Sequence, residues 1–270
     1  MSDDISAPQF AGSVPEIYDR LMVPMVFADA AVLLADEVAA RRPSTILEVA
    51  AGTGVLTRAL LAACPGAGVV ATDLSQPMLD RAAERVGADA RVRYQRADAL
   101  DLPFDEATFD VVACQFGVMF FPDRVQGYRE ASRVLRPGGA LIFNVWDRIE
   151  NNDFARVTAD ALRQKSNASL DFMSRVPHGY FDRDVIVRDL RSAGFDVVAF
   201  EAIDATSVAT AHDAAVALCK GTPMRSQIEA ASDISLDHAT EVAQSALEDV
   251  YGAGVITGRI RSFHVVAEPR

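Results

Sequence analysis

Lysine is almost absent from this chain. Lys165 and Lys220 are the only two, so arginine carries nearly all of the positive charge. That imbalance reads as coding bias, and it does not make the chain basic: the net charge is −12 at pH 7. An acidic chain attracts neither phosphate backbones nor anionic lipid, which disfavours nucleic acid and membrane surfaces as partners. Cysteine is scarce as well. Cys64, Cys114 and Cys219 are far apart, odd in number and form no CxxC pair. This argues against a disulfide frame or a zinc site and for a reduced, cytoplasmic protein. Long hydrophobic runs are missing too. The most apolar stretch, 21–35, is interrupted by Pro24 and Asp29 and is too short to span a bilayer. The opening MSDDISAPQF is acidic and polar, unlike a signal peptide. No repeat of solenoid period and no long low-complexity segment is present.

Apolar material is plentiful, at 50% of 270 residues. That suits one domain, or one domain with a sizeable insertion. The first 15 residues carry turn formers and are expected to drape over the domain. Segment 14–41 reads as one or two amphipathic helices with a break at Pro24. Strands are then expected at 45–50, 68–73, 92–97, 109–114 and 140–146. Helices are expected at 55–63, 76–86 and 123–135, the second with Ser75 as cap and Pro77 in its first turn. The segment RPGG closes the third. A helix at 182–193 ending at Gly194, a strand at 195–203 and a last strand at 258–267 follow. Between the last two, 206–253 reads as mostly helical. Strands alternating with helices predict an α/β fold, a doubly wound parallel sheet with helices on both faces and right-handed crossovers.

The chemistry gathers at ILEVAAGTGVLTR, residues 46–58. An aliphatic run stops at a small-residue turn and a helix pattern starts at once. Gly52 and Gly54 can adopt positive φ and admit a ligand against bare backbone. The free N–H groups of the next helix suit an anion, phosphate or carboxylate. Asp73 ends the following strand, about 20 residues beyond the glycine turn, where an acid accepts from ribose hydroxyls. Asp98 ends the third strand, in RADALDLPF, where it can accept from an exocyclic amine such as that of adenine. Taken singly, Asp98 is more simply a turn or capping residue. On successive strand tips the two acids point to a nucleoside. The dinucleotide pattern G-x-G-x-x-G is incomplete, since Thr57 stands in place of the third glycine. No tyrosine is followed four places on by lysine. Both facts disfavour a nicotinamide-dependent dehydrogenase.

LEVAAGTGVLTRAL, ATDLSQPML, RADALDLPFDEATFDVV, CQFGVMFFPD and LRPGGALIFNVWD occur in that order within 44–148. Together they resemble the class I S-adenosylmethionine-dependent methyltransferases, in particular the small-molecule group that includes quinone-biosynthesis enzymes. The resemblance implies a Rossmann-like, doubly wound seven-stranded sheet whose last strand is antiparallel, with a helical insertion before it. It implies S-adenosyl-L-methionine as cofactor. Glu48 and the Gly52–Thr53–Gly54 turn would hold the methionine moiety and Asp73 the ribose hydroxyls. Leu74 and Met78 would pack near the adenosine, and Asp98 and Ala99 would meet the adenine. Gln115 and Phe116 would lie near the sulfonium end. One departure is visible. Ala50 stands where the family usually has a first glycine; alanine is small, so cofactor binding is expected to survive. LRPGG has a plainer reading as a helix stop and turn.

Methyl transfer from this cofactor is an in-line displacement in which positioning and water exclusion can suffice. A hydroxyl or activated carbon acceptor gains from a general base. His178, in VPHGYFD, titrates in a suitable range and otherwise is a turn residue. Tyr18, in EIYDR, either reaches the cofactor or acceptor or packs on an amphipathic helix. His212, His238 and His264 read as ordinary surface or strand residues. No metal is expected, because the fourth strand ends in Ala113-Cys114-Gln115 rather than acidic ligands. The Asn/Asp-Pro-Pro-aromatic motif of DNA-base methylation is absent. The expectation is one methyltransferase domain over 1–270: an N-terminal helical lid at 1–43, a cofactor core at 44–148 and a C-terminal half with the helical insertion. A small or medium organic acceptor is expected. The alternatives are a non-catalytic protein that binds the cofactor and, less favoured, an NAD-dependent oxidoreductase.

Overall fold

Strands β1 (Thr45–Val49), β2 (Gly68–Asp73), β3 (Val92–Arg96), β4 (Phe109–Gln115), β5 (Leu135–Trp146), β6 (Phe195–Thr210) and β7 (Val255–Pro269) form one sheet in the order β3-β2-β1-β4-β5-β7-β6. This computed structural model describes residues 14–270; the expected draping of the first 15 residues falls almost wholly outside them. The pairs β3–β2, β2–β1, β1–β4 and β4–β5 are parallel. Strand β7 runs the other way. Asp147 N donates to Arg261 O and Asn144 pairs with His264, so β7 numbering falls as β5 numbering rises. Strand order reverses between β1 and β4, which is where ligands enter doubly wound sheets.

The chain forms two compact units. One comprises 28–145, 181–203 and 262–270. Its first sheet face carries Ile46, Val69, Val111, Ala113, Ile142 and Val266 against Ala31, Leu34, Ala35 and Val38 of the helix Ala28–Ala40 and Leu56 and Leu60 of the helix Val55–Ala63. The i, i+3, i+4, i+7 spacing of the first helix makes that stripe. Successive strand residues face opposite sides, so Phe143 points away from Ile142. It meets Tyr128 of the helix Arg124–Val134 at 5.7 Å between ring centroids. Helices therefore cover both faces, as expected.

The other unit holds 14–27, 146–180 and 204–261 of the described residues. Tyr18–Phe27 is π-helical and contains Pro24. The expected break at Pro24 is instead a widened turn, which eases the clash between the proline ring and the preceding carbonyls. Helices Ala211–Lys220, Met224–Ala230 and Leu236–Tyr251 fill the stretch expected to be helical. Strand β6 runs seven residues past its expected end at 203. Of the added residues only Ser207 is buried, so the extension has no apolar face to be read from the sequence. RPGG bulges out of the sheet: Phe109 pairs with Leu135, yet Val111 pairs with Ala140. Among the described residues no helix is long and apolar enough to cross a membrane.

Candidate functional site

The carboxyl ends of β1 to β4, with the segments that follow them, hold the cofactor residues singled out above. Backbone φ is +56° at Ala50, +55° at Gly52 and +81° at Gly54. An alanine in this left-handed region costs about 1 kcal/mol, so the position favours glycine for a physical reason and Ala50 is strained. A Cβ on Gly54 would lie 3.0 Å from that of Ala82, so the glycine lets two helices approach. A Cβ on Gly52 would meet nothing within 4 Å, leaving the backbone there open. The hydroxyl of Thr53, in the same turn, is buried without a hydrogen-bond partner. On the neighbouring tip Phe116 also has positive φ, +52°. Gly117 follows it, so close to Ala50 that a Cβ would come within 2.5 Å of the alanine methyl. Two strained residues on adjacent strand tips mark a functional region.

Two carboxyl groups lie beneath the turn. Glu48 is 1% exposed and accepts from the Thr57 hydroxyl at 2.6 Å. Burial drives its pKa up to about 8, with the charge of Asp73 adding to the rise and Thr57 opposing it. In the sequence pattern Thr57 stands where the third glycine would be. Its hydroxyl instead serves the buried glutamate, and the available signal is a small polar residue among Leu56, Leu60 and Leu61 on the buried face of that helix. Asp73 accepts from Gly52 N at 2.9 Å and from Ser75 N at 2.8 Å. Burial raises its pKa, and these backbone bonds lower it. The acid thus already shapes the glycine turn. Leu74 beside it is 47% exposed, an apolar side chain facing outward at the strand tip, and Met78 is buried below. Asp98 is exposed and accepts from Leu100 N at 2.9 Å, the plain turn geometry; Ala99 is half-buried beside it. Gln115 is half-buried at the end of β4.

His178 and Tyr18 belong to the other unit. His178 is 5% exposed, and its Nδ1 lies 2.9 Å from the Asp147 carbonyl oxygen. A carbonyl only accepts, so Nδ1 carries the proton in the neutral ring and Nε2 keeps the lone pair. Burial lowers the pKa to about 4. The structure brings both residues onto one run of rings. Tyr18 stacks on Phe27 at 5.1 Å, Phe27 meets Trp146 at 5.8 Å and Trp146 meets His178 at 6.2 Å. His264, read as an ordinary strand residue, pairs with Asn144 at 3.2 Å. Among the described residues no three His, Cys, Asp or Glu side chains are grouped to hold a metal ion.

A cradle of bare backbone, an orphan hydroxyl, an acid on the second strand tip and an exposed leucine fits a nucleoside joined to an amino acid. Comparison with known proteins agrees. The family model described as "Methyltransferase domain" matches residues 47–143. A demethylmenaquinone methyltransferase of Clavibacter sepedonicus is 35% identical over 174 residues, covering 61% of this chain and 70% of that protein. One from Deinococcus radiodurans is 41% identical over 109 residues, covering 40% of this chain but only 45% of the relative. A Bacillus halodurans C-125 crystal structure, described as a candidate methyltransferase, shares the fold with a TM-score of 0.59. Its identity is 21%, and the match covers 88% of this chain and 98% of that one. With the sheet order, the strand-tip acids and these likenesses together, the chain belongs to the class I S-adenosylmethionine-dependent methyltransferases, with S-adenosyl-L-methionine as its methyl donor.

Proposed function

We propose that the chain methylates a small or medium-sized, quinone-type acceptor without a metal. The observation that carries the acceptor class is the likeness to the demethylmenaquinone methyltransferases, which spans more than two thirds of one of them. Bound S-adenosyl-L-methionine supplies a methyl group on a positively charged sulfur. Glu48, Gly52, Thr53 and Gly54 would hold its methionine moiety, and the unpartnered Thr53 hydroxyl suits a carboxylate there. Asp73 would take the ribose hydroxyls, with Leu74 and Met78 beside the adenosine. Asp98 and Ala99 would meet the adenine, and Gln115 and Phe116 the sulfonium end. The protein's main task is to hold the acceptor in line and exclude water.

His178 suits this chemistry as a hydrogen-bond acceptor rather than a proton store. A pKa near 4 makes it a weak base at neutral pH, while Nε2 can orient an acceptor hydroxyl. Tyr18 would donate to the acceptor. Three free cysteines support a cytoplasmic site of action. The test is turnover of S-adenosylmethionine with reduced naphthoquinones, reduced benzoquinones, catechols and amines, followed by product mass. A quinol should gain one methyl, and EDTA should not slow it. Turnover of amines or catechols with no quinol product would end the acceptor proposal.

A further inference from the structure

The loop after β3, residues 97–104, carries the two residues proposed above to meet the adenine, and the helix Arg124–Val134 grips it along its length. Gln126, Glu130 and Arg133 stand at i, i+4 and i+7, one face of that helix. Gln126 Nε2 donates to Leu100 O at 3.1 Å. Glu130 Oε2 accepts from Leu102 N at 2.7 Å. Arg133 donates to Phe104 O at 2.7 Å and to Leu102 O at 2.8 Å. Arg133 also forms a two-pronged pair with Glu130, at 2.8 and 2.7 Å. The pair holds the Glu130 carboxyl below its usual range, chiefly through the arginine hydrogen bonds.

The same helix is fixed at its other end. Asp123 caps it by accepting from Gln126 N at 2.9 Å, and Arg124 donates to Met119 O in the segment after β4. Gly127 lies so close to the Phe121 ring that a Cβ would come within 2.6 Å of it. One helix therefore braces the loops after both β3 and β4. Asp98 commits one carboxylate oxygen to Leu100 N, so the aim of the other follows the loop, and the loop follows Arg133 and Glu130.

We infer that Arg133, locked by Glu130, is a positioning residue for cofactor selection: through the carbonyls of Leu102 and Phe104 it aims Asp98 at the exocyclic amine of the base. This rests on the proposed contact of Asp98 with adenine. The experiment titrates the full chain calorimetrically with S-adenosylhomocysteine and with S-inosylhomocysteine, which has a carbonyl in place of that amine. Wild type should prefer the adenosyl compound. Arg133→Met should lose most of that preference, roughly 10- to 100-fold, the worth of one charge-assisted hydrogen bond. Affinity for the inosyl compound should change little. Arg133→Lys should not restore the preference, because an ammonium cannot reach two carbonyls and two carboxylate oxygens in this fork geometry. Full preference in Arg133→Met, including proportionate weakening of both ligands, overturns the inference. Full preference in Asp98→Ala, which removes the acceptor, instead overturns the base contact beneath it. If Arg133→Met does not fold, Glu130→Gln is read in the same way: reduced preference supports the inference and wild-type preference overturns it.

Discussion

Replacing Glu48 by glutamine should remove a pH dependence from the stability of this protein. The glutamate is 1% exposed, and its pKa rises from 4.5 to about 8, chiefly by desolvation. Between those values the folded state holds a proton that the unfolded state has released. Stability from this group is therefore full below pH 4.5 and is lost as pH rises toward 8. At about 1.4 kcal/mol per pH unit the whole shift amounts to ~5 kcal/mol. His178 works in the opposite sense. Its folded pKa of about 4 lies below the ordinary 6.5, so its contribution is present above 6.5 and is lost as pH falls toward 4. The two slopes oppose one another between 4.5 and 6.5, which makes the range above 6.5 the clean one. From pH 6.5 to 8, wild type should lose about 1.5–2 kcal/mol through Glu48. With a urea m-value of roughly 3 kcal/mol/M, that is a fall of about 0.5 M in the unfolding midpoint. Glu48→Gln should lack that fall, because glutamine can still accept from Thr57 and never ionises. The assay is urea unfolding by far-UV circular dichroism at pH 6.5, 7.25 and 8. Equal pH slopes in the two proteins would refute the buried, protonated glutamate.

Asp73→Ala should abolish measurable S-adenosylhomocysteine binding by calorimetry and also cost about 2–3 kcal/mol of stability, since it removes the acceptor for two backbone donors; unchanged affinity would sink the ribose assignment. Ala50→Gly should stabilise by up to about 1 kcal/mol by relieving positive φ; a loss in urea unfolding would contradict that strain. Gly117→Ala should destabilise by about 1–3 kcal/mol. Adding Ala50→Gly should recover part of it, because the new methyl would face Ala50 as well as Cys114, and simple additivity in the double-mutant cycle would argue against the contact. Trp146, the chain's only tryptophan, lies 6.2 Å from His178. Its fluorescence should titrate with a midpoint near 4 and lose that step in His178→Gln, whereas a midpoint near 6.5 would show a solvated imidazole.

Much of this protein is legible without coordinates. Apolar runs alternating with 3.6-period segments specify a parallel sheet, because strands buried on both faces have no polar side to show. The turn after β1 is readable because positive φ admits few residue types, and Asp73 because one strand–helix–strand unit sets its distance from the glycines. The first part of the edge strand β6, 195–203, was legible; its extension to Thr210 was not, since only Ser207 of those added residues is buried. Thr57 shows in the sequence only as a polar residue on an apolar face, because its partner is set once helix and strand face each other. Tertiary structure alone decided the chemical state of the individual groups. It buried Glu48 away from water, gave Asp73 to Gly52 and Ser75, fixed the proton of His178 on Nδ1 and set Arg133 across the loop of Asp98. Protonation and aim depend on desolvation and on angles between groups far apart in the chain, and residue order encodes those only through the completed fold.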